Sequence, residues 1–432
     1  MKTIAIITEY NPFHAGHAWQ LQAVRERFGQ DSAVICAMSG CFVQRGEPAI
    51  LDKWSRTRMA LACGVDLVVE LPFLYAAASA ERFASGGVQL IQATGLDCHL
   101  AFGSESGDLA QLEQLAAILA DETPEFRRHL HEGLDLGDSF PVARQKAVEA
   151  VTGQSGLAAL LAKSNNILAV EYLKAIRKTP ACRLIPITFQ RQGQAYRDLS
   201  PEQQAGNCAS ASAIRQRIRE RCSRQPASES WPDFSGLLHD LAGVMPAPAL
   251  AGLLEQIQAG SGLVFPEDLA APILGQLRSR PINQIEQIPG MGEGLARRLA
   301  AAAAHPNGAP ADGRLDTLLR DAATRRFPQT RIQRALISLL ADLQAADLAE
   351  ADAASGPQYL RVLGFSRKGR YLLKVMRRLA EKPIFMKASD ILSHKDPALV
   401  RMAELDILAT DLWMLAAGRQ CGADFDTPVV MG

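Results

Sequence analysis

A chain of 432 residues is long enough for two or three domains, and its 48% hydrophobic and 21% charged content is a globular profile. Its 46 basic and 46 acidic residues cancel, so any nucleic-acid surface must be local. No run reaches membrane-span length, Met1-Lys2-Thr3-Ile4 lacks signal-peptide character, and the eight cysteines form no CxxC pair, so the cytoplasm is the expected compartment and no membrane partner is expected.

In chain order, the first half alternates short β-rich runs with helical patterns. Strands are expected at 3–7, 32–38, 66–71, 98–102 and 183–189, and helices at 17–28, 48–63, 76–94 and 109–120, with a helical stretch to about residue 178. Runs such as Ala33-Val34-Ile35-Cys36-Ala37-Met38 are apolar on both sides, as parallel strands covered on both faces require. The alternation predicts a doubly wound α/β sheet, whose ligand sits at the carboxyl ends of the strands. That rule gathers segments 8–17, 39–47, 72–75, 103–107 and 190–198 into one crevice. The polar segment from Ser223 to Pro232 is the expected domain boundary, giving domains of 1–222 and 223–432. Beyond it the text is mostly helical and rich in Ala, Leu and Arg, with a loop at Pro306–Pro310.

The densest chemistry follows the first strand, in Thr8-Glu9-Tyr10-Asn11-Pro12-Phe13-His14-Ala15-Gly16-His17. Pro12 fixes φ and turns the chain off the strand. The next helix offers free N–H groups and the positive end of its dipole to an anion such as a triphosphate. Residues i and i+3 share a helical face, so His14 and His17 are expected to point at the same phosphates, with Gly16 allowing close approach. The spacing also permits a metal, but no third ligand stands nearby in sequence, so no metal site is expected. Ser210, Ser212 and Arg215 open a later helix and form either a second phosphate contact or an ordinary N-cap.

Two basic clusters lie in the second half. Arg314, Arg320, Arg325, Arg326, Arg331 and Arg334 form one; Arg367, Lys368, Arg370, Lys374, Arg377, Arg378, Lys382 and Lys387 form the other. Such runs are either solvated helix faces or a surface for RNA phosphates. Ile288-Pro289-Gly290-Met291-Gly292-Glu293-Gly294 resembles the glycine hairpin of helix-hairpin-helix modules.

The strand–turn–His-x-Gly-His pattern resembles the signature of HIGH-type nucleotidyltransferases. A narrower match runs through Asn11–His17, Met38–Ala49, Asp52-Lys53-Trp54, Phe102–Glu105, Ser164–Leu168 with Glu171–Lys174, Arg191-Gln192-Gly193 with Tyr196, Thr330–Leu336 and Arg361–Phe365. Together these blocks resemble the tRNA(Met) cytidine acetate ligase family. The resemblance implies a Rossmann-like sheet domain followed by a mostly helical tRNA-binding domain. It implies acetate attack on the α-phosphate of ATP, then transfer of the acetyl group to N4 of the wobble cytidine (position 34) of elongator tRNA(Met). It also implies that Ile7, Thr8, Glu9, Tyr10, Asn11, Pro12, Phe13, His14, Ala15, Gly16, His17, Ala18, Trp19 and Gln20 wrap ATP, with Gly103, Asn165 and Arg191 completing the site, and Mg2+ expected alongside. Arg45 and Lys53, with Gln44, Arg56 and Arg58, are candidates for acetate, pyrophosphate or the anticodon; Arg325, Arg326, Arg331, Arg334, Arg367, Lys368 and Arg370 are candidates for tRNA. Cys41 stands where Asn is expected and Ala169 where Gly is common. The alternatives are an adenylyltransferase of a small phosphorylated cofactor precursor and a non-catalytic RNA-binding protein.

Overall fold

The five apolar runs of the first half become strands, and their pairing creates the crevice. The computed structural model describes residues 1–191, 210–222, 234–260, 262–304 and 314–432. The expected boundary segment at 223–232, the loop at 306–310, and Gln192, Gly193 and Tyr196 lie outside these residues. The strands are β1 (Thr3–Thr8), β2 (Ala33–Ser39), β3 (Phe42–Val43), β4 (Glu47–Pro48), β5 (Leu67–Leu71), β6 (Cys98–Ser104), β7 (Ile185–Gln190), β8 (Leu360–Phe365), β9 (Ile384–Phe385) and β10 (Val430–Met431).

The main sheet runs β10-β8-β5-β2-β1-β6-β7, with β9 on β8. Ile4 pairs with Val34 and His99, Ile35 with Leu67, and Leu100 with Pro186, all in parallel. Chain order reverses between β1 and β6, which places a topological switch point beside the first strand. Every residue of β1, β2 and β5 is buried, because helices cover both faces. Alternate side chains divide accordingly: Ala5, Ile7, Ile35 and Val69 belong to one core, Ile4, Ile6, Cys36 and Val68 to the other.

Two expected helices are shorter than predicted, for local reasons. The 48–63 helix begins at Lys53, because Pro48 pairs in the β3–β4 hairpin and the Asp52 carboxylate caps by accepting from the Ser55 N–H at 2.7 Å. The 76–94 helix is split into Phe73–Ala76 and Ala80–Ala93, with Ser79 as the second N-cap. Among the described residues no helix is long and apolar enough to cross a membrane.

The second half is mostly helical, yet it also contributes three strands to the sheet. β8 pairs antiparallel with β5, with Leu67 opposite Phe365, and β10 lies parallel to β8. The change in composition near residue 222 therefore marks no end to the sheet. A buried ionic cluster sits at this seam. Lys53 Nζ lies 2.7 Å from Glu70 Oε1 and 2.8 Å from Asp424 Oδ1, and Arg361 Nη1 lies 2.6 Å from the same Asp424 oxygen. Lys53 is fully buried, so it is removed from the tRNA candidates: an ammonium enclosed by two carboxylates has no path to RNA. Trp413, also fully buried, donates its indole N–H to the Ala49 carbonyl at 2.6 Å and ties the Pro397–Ala416 helix to the loop after β2.

Candidate functional site

At the end of β1 the chain makes a tight turn before the Ala15–Phe28 helix. Tyr10 sits in the left-handed region at φ 45°, which costs on the order of 1–3 kcal/mol for a bulky residue and persists only where the surroundings fix it. Here they do: its ring is buried 4.7 Å from that of Phe13, and its hydroxyl lies 3.4 Å from Cys36 Sγ. The Asn11–Pro12 peptide is cis, and Asn11 Oδ1 accepts the Ile50 N–H at 2.8 Å.

The two histidines come together, though not as neighbours on a helical face. His14 is the N-cap, with extended backbone, and its Nδ1 accepts the Gly16 N–H at 3.0 Å. His17, one turn later, caps in the reverse direction: its Nδ1 accepts the His14 N–H at 3.2 Å. The rings stack with centroids 3.8 Å apart. A Cβ on Gly16 would stand 2.9 Å from His14 Cε1, so the stack requires glycine between them. Because each Nδ1 is occupied as an acceptor, the neutral tautomer of both rings carries its proton on Nε2. Burial, reinforced by the nearby Arg191 cation, brings His14 down to about 4, and burial beside His14 and Arg191 holds His17 well below its ordinary value. At neutral pH the turn therefore presents two uncharged N–H donors at a helix N-terminus.

On the β6–β7 flank the structure brings Gly103, Asn165 and Arg191 into one group, as expected. Arg191 follows β7, its N–H donates to the Ser104 carbonyl at 2.8 Å, and its Nη1 donates to Asn165 Oδ1 at 3.1 Å. Its aliphatic stem crosses Gly103, where a Cβ would lie 3.1 Å from Arg191 Cγ. Glu105 and Asn166 escape sequence reasoning as site residues, although both lie in blocks that carry the family resemblance. Glu105 caps the Ser164–Lys178 helix, accepting from the Asn165 side chain at 2.7 Å and the Asn166 N–H at 2.7 Å. Asn166 Oδ1 in turn accepts the N–H groups of Glu105 and Ser106. The signal in the sequence is an acid after a strand and an Asn pair at a helix start.

On the β2 flank, the loop after Ser39 folds over the end of β1. The Gln44 N–H donates to Glu9 Oε1 at 2.9 Å. Arg56 is fully buried and donates to four carbonyls, those of Leu51, Glu9, Ser39 and Gly40; it pins the two strand ends and does not reach a ligand. Arg45 is exposed at the loop tip. Arg215 lies against this loop: its Nη1 donates to the Asn11 carbonyl at 2.9 Å and its Nη2 lies 3.1 Å from Glu47 Oε2. Ser210 caps its helix through the Ala213 N–H, and Ser212 is exposed with Oγ 3.5 Å from Arg215 Nη2.

The first basic cluster stands beside the same loop. A Cβ on Gly46, at φ +75°, would collide with the backbone of Gln333 and Arg334, so the loop tip is seated on the Gln329–Leu340 helix. Arg326 and Arg331 pair with Glu293 at 3.1 and 3.2 Å, the acid of the glycine hairpin, and both stack on Phe327. Arg325 is exposed, and Arg334 is half-buried. The second cluster is elsewhere. Lys368 Nζ donates to the Gln30 carbonyl at 2.7 Å, and a Cβ on Gly369 would collide with the Asp66 carbonyl. Those contacts put Arg367, Lys368 and Arg370 at the amino ends of β2 and β5, the edge opposite the histidines.

Among the described residues no group of three His, Cys, Asp or Glu is placed to hold a metal ion. What the site can do is polarise a polyphosphate: neutral donors, a helix N-terminus and Arg191 converge at the switch point.

Comparison with known proteins agrees with this geometry. A family model described as HIGH Nucleotidyl Transferase matches residues 1–425. The chain is 38% identical over 436 residues to a protein of Acetivibrio thermocellus named tRNA(Met) cytidine acetate ligase, covering all of both chains. It is 38% identical over 417 residues to one of Caldanaerobacter subterraneus subsp. tengcongensis with the same name, covering 96% of each. Among solved structures, Thermotoga maritima TmcAL bound with alpha-thio ATP superposes with a TM-score of 0.86 at 31% identity, covering 100% of this chain and 99% of that one.

Proposed function

The chain belongs to the HIGH nucleotidyltransferases and, within them, to the tRNA(Met) cytidine acetate ligase family, and from that premise we propose that it activates acetate with ATP and acetylates N4 of the wobble cytidine of elongator tRNA(Met). The first step joins an acetate oxygen to the α-phosphorus and expels pyrophosphate. The second joins N4 to the acyl carbon and expels AMP.

The observation that carries the first step is the pair of stacked imidazoles at a helix start, each with its Nδ1 taken up as an acceptor and so, when neutral, with its proton on Nε2. Each stays neutral, so it donates to phosphate oxygens without the cost of charging a buried ring, and each is fixed before substrate arrives. Arg191, beside them at the end of β7, supplies the positive charge that tracks the departing pyrophosphate. Asn165 holds that guanidinium at 3.1 Å, and Gly103 leaves it room. Magnesium is expected with the triphosphate; with no described carboxylate cage to hold it, its ligands would be phosphate oxygens and water, and neither step is routed through it.

The basic group at Arg325, Arg326, Arg331 and Arg334 supports the RNA half of the reading. It abuts the loop that covers the end of β1, so an anticodon held there lies next to the activated acyl group. Acetate-dependent exchange of labelled pyrophosphate into ATP, without RNA, tests the activation step. Exchange is expected with acetate. Exchange that instead required a phosphorylated small molecule would replace this reading with that of a cofactor adenylyltransferase.

A further inference from the structure

Two flanks of β1 carry different equipment, and one acidic group stands between them. On the β6–β7 side are the histidines' partner Arg191, with Asn165 and Gly103. On the β2 side is the Ser39–Glu47 loop, resting on the Gln329–Leu340 helix and its arginines. Glu9, the first residue after β1, makes its hydrogen bonds to the β2 side, while Tyr172, on the Ser164–Lys178 helix of the other flank, is close enough to feel its charge. Its backbone carbonyl accepts from Arg56 at 2.6 Å, and its carboxylate reaches under the loop to take the Gln44 N–H at 2.9 Å on Oε1. Glu9 is only partly buried.

A reaction that passes an acyl group from a nucleotide to an RNA amine needs a group at this junction. The N4 amine must lose a proton as its bond to the acyl carbon forms, and histidines aimed at the phosphates with their Nδ1 atoms occupied cannot take it. We infer that Glu9 is the proton acceptor of the acyl-transfer step, a role that rests on the acetyl-transfer reading above. The N4–C bond forms, the bond from the acyl carbon to the phosphate oxygen of acetyl-adenylate breaks, AMP leaves with the electron pair, and the N4 proton passes to Glu9 Oε2 and then to water. The Gln44 N–H fixes the carboxylate through its other oxygen, so the accepting lone pair is held in place.

The surroundings set its strength. Burial raises the Glu9 pKa, and Glu47 of the loop adds to the rise. The Gln44 N–H, Arg215 from the Ala211–Cys222 helix and Arg45 from the loop act in the opposite direction, and the phenol of Tyr172 on the Ser164–Lys178 helix also faces it. The net result is a carboxylate more basic than in water, which suits a base.

The test starts from synthetic acetyl-adenylate and transcribed tRNA(Met), so the second step is read alone, and acetylcytidine is followed in a single turnover from pH 4.5 to 8.5. Wild type is expected to transfer, with a rate that falls on the acid side. Glu9→Gln is expected to transfer on the order of a hundredfold more slowly or worse, with no acid limb. Glu9→Asp is expected to recover part of the rate and the limb, because it restores a carboxylate. The inference is overturned if Glu9→Gln keeps the wild-type rate and pH profile, or if Glu9→Asp, in a variant that melts like wild type, recovers neither the rate nor the acid limb. Failure of wild type itself to transfer would instead sink the acetyl-transfer reading.

Discussion

His14 is both a helix cap and a proposed phosphate donor, and one substitution separates the two. His14→Ala removes the Nδ1 acceptor of the Gly16 N–H, 3.0 Å away, together with the Nε2 proton. Loss of an N-cap costs about 1 kcal/mol, and loss of one transition-state donor costs about 2.7–4 kcal/mol, or a hundred- to a thousandfold in rate. His14→Asn keeps the cap, since asparagine is among the best N-cap residues, but its shorter side chain cannot place a donor where the imidazole Nε2 lies. Asn is therefore expected to restore the melting temperature lost by Ala, while both variants lose acetate-dependent pyrophosphate exchange a hundredfold or more. Thermal melts and exchange on the same preparations decide it. Asn exchanging within about threefold of wild type would refute the donor role and leave His14 as a cap.

Further outcomes follow from the same geometry. Gly16→Ala places a methyl 2.9 Å from His14 Cε1, so exchange is expected to drop about tenfold or more although Ala is the better helix former, as steady-state exchange and a melt will show together. Lys53→Ala leaves Glu70 and Asp424 with Arg361 as their one remaining shared cation and so one buried negative charge uncompensated, a loss of about 3–5 kcal/mol in a denaturant titration, while the tRNA affinity of the folded protein stays at the wild-type value. Arg325→Ala with Arg326→Ala is expected to reduce the slope of log affinity against log salt by roughly one unit for each arginine–phosphate pair removed, whereas Arg367→Ala with Arg370→Ala, at the opposite sheet edge, is expected to change it less; filter binding at several salt concentrations checks both. His14 binds its proton only near pH 4 when folded but near 6.5 when unfolded, so the unfolded chain takes up more protons between those values. Stability is therefore expected to decline as pH falls through that window, by about 3 kcal/mol from this one group, and adenylate formation to show no limb near pH 6.5.

The parts of the fold legible in the sequence are those set by local pattern. Continuous apolar runs mark the five parallel strands, and the strand-end rule alone places Gly103 and Arg191 with the histidines, the family resemblance adding Asn165. What stays hidden depends on distant partners. Lys53 reads as a cation beside the crevice until Asp424, far along the chain, is folded against it; Arg361 stands in a block that carries the family resemblance, and its pairing with Asp424 shows only once β8 lies beside β5. The histidines meet for a different local reason from the one their spacing suggests. An i, i+3 spacing implies a shared helical face, but the His14 backbone is extended, and the rings stack because His14 caps the Gly16 N–H while His17 caps that of His14. Arg56, among the expected ligand contacts, instead spends its donors on four carbonyls that no single-residue pattern reveals.

Whether the histidines at the end of β1 make an adenylate destined for an RNA base is tested most directly by mass spectrometry of tRNA nucleosides, after incubating the protein with ATP, isotopically labelled acetate and bulk tRNA. Labelled N4-acetylcytidine is expected in elongator tRNA(Met) alone, formed with one AMP and one pyrophosphate per acetyl group. Unlabelled cytidine throughout, or label transferred with release of ADP and phosphate, would contradict the adenylate route.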